Sequence, residues 1–224
     1  MTPLQRALSE GRLTHGAWTR TDEDGRELLC VLAAMSPEVA VAQDAAACPA
    51  HIAPAWLAHL LPWVADAGTD AARPAVWARV ADLQSRWASL WPHGWPEDIS
   101  RRADARVRRA AVVAARCHAT ERERPAVDAV VSLLDRRIEG DEPSQAAVAA
   151  AVAAARAARA TAQAASAAAA VVEASAVAVA RAASWASEAA AWEAAAAADA
   201  LTVEVLDIIA DEITRGEHRS VGGT

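Results

Sequence analysis

The sequence predicts an all-α protein, in which a multi-helix globular front half is followed by one long Ala-rich helix. Proline and glycine divide residues 1–140 into segments of helical length, and apolar residues recur there at spacings of three and four. Residues 146–200 hold 34 alanines and neither Gly nor Pro, and Ala has the highest intrinsic helix propensity. No second strand is predicted with which a sheet could form.

The first helix has clear start and stop signals. Thr2 is a typical N-cap, Pro3 occupies the first helical position and Gly11 follows the last turn, so a helix is predicted over residues 3–10. Residues 12–26 are rich in β-branched and turn-forming residues, which indicates a loop or at most one short strand.

Four further segments of the front half are predicted to be helical. Residues 26–35 form the first of them, and Ser36 with Pro37 provides the cap and first residue of the next. Helices are also predicted over residues 98–119 and 124–140, where apolar residues form a stripe.

Two prolines bear on the middle of the front half. Pro54 is predicted to begin a helix that Pro62 would kink or end, because proline removes an internal hydrogen bond. An amphipathic helix closed by Pro92 follows it. Five tryptophans are expected to fill the core here, since no other aromatic residue is available: Trp56, Trp63, Trp77, Trp87 and Trp91.

The Ala-rich segment is predicted to be one helix over residues 144–214, which at about 1.5 Å per residue would span roughly 105 Å. A globular domain over residues 1–140 is much smaller, with a radius of gyration of about 14 Å. The helix must therefore project, bend back or pair with another chain. A hairpin near residues 161–166 is an alternative, although no Gly or Pro stands there. Residues 215–224 are predicted to be a flexible C-terminal tail.

The Ala-rich helix is the feature from which a function can be argued. Small side chains let two helices approach closely and gain dispersion contacts along their length. The segment is therefore predicted to bind a protein partner or a second copy of this chain; the alternative is that it packs back on its own front half. Trp185 and Trp192, seven residues apart on a helix with little other bulk, are the predicted anchors.

Charge and composition restrict the class of partner. The formal net charge is -7, which argues against a general attraction to nucleic acid or anionic lipid. Charged residues fall in almost any window of about 20 residues of the Ala-rich segment, so it is not a good membrane span. Three cysteines, with no basic and apolar leader at the start, predict a cytoplasmic protein with reduced thiols.

An arginine-rich helix offers an alternative function. Arg102, Arg106, Arg109 and Arg116 follow spacings of four, three and seven, opposite the apolar stripe. Such a face could neutralise the phosphates of a nucleic acid or dock an acidic partner surface. The competing interpretation is a solvated face, or one neutralised by acidic residues of the Ala-rich segment such as Glu173, Glu188, Glu193 and Asp199. The negative net charge favours this interpretation over nucleic acid.

Candidate residues for chemistry are few. Cys48 and His51 have the spacing of a zinc-ligand pair, but only one such close pair exists. A nucleophilic site would need Cys48 or a serine near a histidine such as His15 and an acid such as Asp66. The sequence has no phosphate-binding glycine loop and no nucleophile elbow. No catalytic residue and no cofactor is therefore predicted, and an enzyme is not favoured.

Three stretches together carry a resemblance: THGAWTRTDEDGRELLCVLAAMSPEV, then CPAHIAPAWLAHLLPWVADAG, then the Ala-rich helix punctuated by Trp and acidic residues. The chain resembles uncharacterised Ala-rich helical proteins of bacteria and phages. That group has no assigned activity, so the resemblance implies a helical front with a long helical tail, but neither site residues nor a substrate. The predicted function is a non-catalytic interaction or assembly protein that acts through the Ala-rich helix.

Overall fold

The fold is helical, as the sequence predicts. A computed structural model describes residues 1–67, 69–116, 119, 121, 123–161 and 191–221. These residues form nine α-helices and one two-stranded antiparallel sheet. Residues 162–190, in the middle of the predicted long helix, lie outside the described residues, so the continuity of that helix stays a prediction.

The chain divides into two compact units. Unit 1 consists of Met1–Pro96 with Ala198–Thr224, and unit 2 consists of Glu97–Ala197. The elements of Met1–Pro96 are α1 (Pro3–Ser9), β1 (Thr19–Thr21), β2 (Glu27–Leu29), α2 (Val31–Met35), α3 (Pro37–Ala42), a short 3₁₀ turn (Ala45–Ala47), α4 (Ala55–Asp66) and α5 (Arg73–Leu90). The later helices are α6 (Glu97–Arg116), α7 (Arg124–Glu139), α8 (Gln145–Thr161) and α9 (Ala191–Val221), the last of which belongs to unit 1 from Ala198 onward.

Local signals start and end helices where the sequence predicts. Thr2 Oγ1 accepts the N–H of Gln5 at 3.2 Å, and Gln5 Oε1 accepts the N–H of Thr2 at 2.9 Å, which completes a capping box on α1. Gly140 ends α7 in the left-handed conformation with φ of 90°. Ser144 Oγ accepts the N–H of Ala147 at 3.2 Å where α8 begins.

The prediction that the chain forms no sheet was wrong, because β1 pairs antiparallel with β2. Asp22 closes the turn between them: its Oδ1 accepts the N–H of Arg26 at 2.8 Å and its Oδ2 accepts the side-chain Nε–H of the same residue. This turn commits Leu28 and Leu29 to a strand. The helix predicted over residues 26–35 is accordingly shortened to α2.

Helix α4 continues through Pro62 to Asp66, so this proline does not end the helix. The side chains that α4 buries recur at spacings of three and four along one face: Leu57, Leu60, Leu61 and Val64. Trp63 falls outside that face and is 44% exposed, so its expected place in the core was wrong. Trp87 is buried as predicted, with 1% of its surface exposed.

Unit 1 has a core of large apolar side chains. Helix α1 contacts α2 and α5, and α4 contacts the same two helices. The most deeply buried of its large side chains come from both parts of the unit: Leu4, Leu32, Leu57, Leu60, Leu61, Trp87, Leu206, Ile209 and Ile213. Full burial of one such side chain is worth about 1.5–3 kcal/mol, so α9 contributes substantially to this core.

Unit 2 has a core of smaller side chains. Helix α6 packs along α7, and α7 packs against α8. The buried cluster between them consists of Ala105, Val112, Val127 and Leu134. Alanine and valine bury less apolar area than leucine or isoleucine, and each missing methylene removes about 0.8 kcal/mol of transfer free energy.

Helix α9 ends at Val221, so residues 215–221 are helical where a flexible tail was expected. Gly216 supplies the physical reason. It is buried, and a Cβ atom built on it would lie 2.5 Å from Cζ2 of Trp91, so the helix backbone lies directly against the indole. A glycine allows this close approach, and the contact packs the last turns of α9 into unit 1.

Candidate functional site

The start of the Ala-rich segment presents small apolar side chains to solvent. Residues 145–155 of α8, QAAVAAAVAAA, carry no charge. Most of the side chains described there are exposed, namely Ala146, Val148, Ala149, Ala150, Ala153 and Ala154, whereas Ala151 is buried. Val148 is 45% exposed although it is the bulkiest of them. A helix face of methyl groups lets a second helix approach closely.

The two predicted tryptophan anchors cannot be compared with this surface. Trp185 lies outside the described residues. Trp192 lies in α9, but its side chain is outside the described part of the chain. Their role in anchoring the Ala-rich segment therefore stays a prediction.

The arginine face of α6 is paired with carboxylates of α7. Arg116 Nε lies 2.8 Å from Oδ1 of Asp128, and its Nη2 lies 3.3 Å from Oδ2 of the same carboxylate. Arg109 forms an ion pair with Asp135. The other two arginines of the predicted face, Arg102 and Arg106, also have interaction partners. Much of the positive charge available for phosphates is therefore compensated inside unit 2.

A second set of charged contacts holds α9 against α5 within unit 1. Arg86 Nη2 donates to Glu217 Oε2 at 3.0 Å and to Thr214 Oγ1 at 3.1 Å. Two helical turns earlier on α5, Arg79 forms an ion pair with Asp207 of α9. These contacts flank the apolar stripe of α9, which consists of the buried side chains of Val205, Leu206, Ile209 and Ile213. The two arginines lie seven residues apart on α5, and their carboxylate partners stand 128 and 131 residues further along the chain, so the sequence did not predict these pairs.

Cys48 is the first of the two predicted zinc ligands. Burial raises the pKa of its thiol to about 11, and the charge of Glu38 adds to the rise. Zinc requires the thiolate, so binding would have to overcome this shift. His51, the other predicted ligand, is exposed. In the ranges that the structure covers, no three His, Cys, Asp or Glu side chains converge on a possible metal position.

Asp66 lies at the end of α4 near several titratable groups. Its Oδ2 accepts the N–H of Gly16 at 3.0 Å, which ties the loop before β1 to the helix. Burial raises the pKa of Asp66, against the hydrogen bond and the positive charges of His15 and Arg73, which lower it. Burial also raises the pKa of the Cys30 thiol. A thiol held in its protonated form is a poor nucleophile, so this arrangement favours a structural role.

Trp95, which lies between α5 and α6, is at the centre of an aromatic cluster. Its ring centroid lies 4.7 Å from that of Trp91, 5.9 Å from that of Trp87 and 6.1 Å from that of Trp56. Tilted and edge-on contacts at these distances are favourable for aromatic rings. The cluster lies beside the place where Gly216 meets Trp91, and the flanking prolines and glycine gave no signal of it.

Known proteins and membrane-spanning helices were both considered as sources of information on function. Comparisons with protein-family models, with curated proteins and with solved structures found no match. Among the helices that the structure describes, none is both long and apolar enough to cross a membrane. Three features of the structure therefore bear on function: the exposed face of α8, the paired arginines of α6 and the α5–α9 contacts.

Proposed function

We propose that the protein is a non-catalytic interaction or assembly protein that self-associates, or binds a protein partner, through its Ala-rich helix. The observation that supports this proposal is the uncharged, exposed face of α8 on which alanines recur at spacings of three and four: Ala146, Ala149, Ala150, Ala153 and Ala154. Covering apolar surface is favourable by about 25 cal/mol per Å². Because residues 145–155 contain no charge, a helix that docks there does not have to desolvate an ionised group.

Self-association is the form of the proposal that can be tested most directly. The partner is then a second helix of the same small-residue composition, which can approach closely along its length. We also propose that the protein acts in the cytoplasm, because an odd number of cysteines, three, suits a reducing compartment. A relationship with Ala-rich helical proteins of bacteria and phages belongs to the same proposal.

The test is the absolute mass in solution, measured by light scattering after size-exclusion chromatography over a range of concentrations. We expect the wild-type protein to have a mass above that of a single chain of 23.3 kDa, and Ala150→Glu, in the middle of the exposed alanine face, to return it to the mass of one chain. Ala200→Glu is the matched control, because Ala200 is exposed on α9. A wild-type chain that stays at 23.3 kDa at every concentration would overturn self-association.

Nucleic-acid binding through α6 is the alternative, and the contacts described for α6 do not favour it. Arg109 and Arg116 are paired with carboxylates, and the whole chain carries a charge of -7. Binding that neutralises phosphates weakens steeply as salt rises. Retention on DNA or RNA that falls in this way, and that Arg102→Ala with Arg106→Ala abolishes, would support the alternative.

A further inference from the structure

We draw no further inference here: the strongest candidate, the side-chain cluster at the end of α4 in which Asp66 lies near His15 and Arg73 and accepts the N–H of Gly16, carries no proposal, because burial raises the pKa of Asp66 while the hydrogen bond and the charge of His15, both supplied by the loop that Asp66 holds, lower it, so that release of this loop has no defined direction with pH.

Discussion

Units 1 and 2 are both built from helices, yet they differ in what fills their interiors. Unit 1 buries leucine, isoleucine and tryptophan, and it takes them from both ends of the chain. Unit 2 is built around small side chains such as Ala105 and Val112, and ion pairs join α6 to α7. Because burial free energy scales with apolar area, we expect unit 1, which buries the larger side chains, to contribute more of the free energy of unfolding than unit 2. Side-chain bulk, and not helix content, is what distinguishes the two units.

The sharpest test of the comparison truncates one buried side chain in each unit. Ile209→Ala in α9 should lower the free energy of unfolding by about 2–5 kcal/mol, because Ile209 is 0% exposed. Val127→Ala in unit 2 removes less surface and should cost about 1–2 kcal/mol. Urea unfolding followed by tryptophan fluorescence measures the change in unit 1, since seven of nine tryptophans lie in residues 1–96. Far-UV circular dichroism, which detects the helices of both units, measures the change at Val127.

Val203→Ala is the matched control in α9. Val203 is 49% exposed, so the change should shift stability by no more than about 0.5 kcal/mol. Equal losses from the substitutions at positions 203 and 209 would contradict the docking of α9 in unit 1 and with it the contrast between the two cores.

The second effect concerns the close approach of α9 to Trp91. Gly216→Ala should destabilise unit 1 by a net amount of up to about 2 kcal/mol, because the added Cβ would lie 2.5 Å from the indole and overpacking costs about 1–3 kcal/mol. Better helix propensity offsets about 1 kcal/mol of this. The same urea experiment measures it, with His218→Ala on the exposed side of the helix as control. A gain in stability would mean that the contact is loose.

A smaller effect is expected where charges join α6 and α7. The Arg116 and Asp128 side chains are 52% and 51% exposed, so their coupling should be only about 0.2–1 kcal/mol. A double-mutant cycle of Arg116→Ala and Asp128→Ala, followed by far-UV circular dichroism at low and high salt, measures it. Coupling well above this range that is insensitive to salt would show that ion pairs, and not small apolar side chains, hold unit 2 together.

The smallest effect is a change in pH dependence within unit 1. Burial raises the pKa of Asp66 above its ordinary value of 3.8, so the folded state binds this proton more tightly than the unfolded state does. Its contribution to stability is present below pH 3.8 and is lost as the pH rises through the raised native value. Asp66→Asn should flatten this fall, as measured by urea unfolding across acidic pH.

Asp22 provides the control of opposite sign. The hydrogen bond from the backbone of Arg26 lowers the pKa of Asp22, so its contribution is present above pH 3.8 and is lost as the pH falls through the lowered value. Asp22→Asn should therefore weaken acid destabilisation instead. Identical pH profiles for the two variants would contradict the assignment of the Asp66 shift to burial.

Much of the local structure was predictable because its signals act within one or two turns. Thr2, Gly140 and Ser144 start or end helices through contacts with residues close in sequence. Leu28 and Leu29 were assigned to a helix because short apolar runs suit both helix and strand. Asp22 decided between them by closing the turn that brings β1 and β2 together.

For the candidate surfaces, the sequence predicted the composition of one helix face but not which element contacts that face. The spacing of arginines on α6 predicted a charged face, but the carboxylates that pair with Arg116 and Arg109, Asp128 and Asp135, stand 12 and 26 residues away in sequence. The uncharged composition of residues 145–155 was evident, and the structure added that most of the described side chains there are exposed. Periodicity identifies a face of a helix, but it does not say which element covers that face.

The sequence by itself determined the helical class, the positions of most helix ends and the uncharged face of the Ala-rich segment. These depend on propensity, capping and spacing, which are properties of neighbouring residues. Only the tertiary structure decided that residues 198–221 complete the core of unit 1 and that Arg86 meets Glu217, 131 residues further along the chain. Burial and ion pairing act between groups close in space, and the order of residues does not state which distant groups will be close.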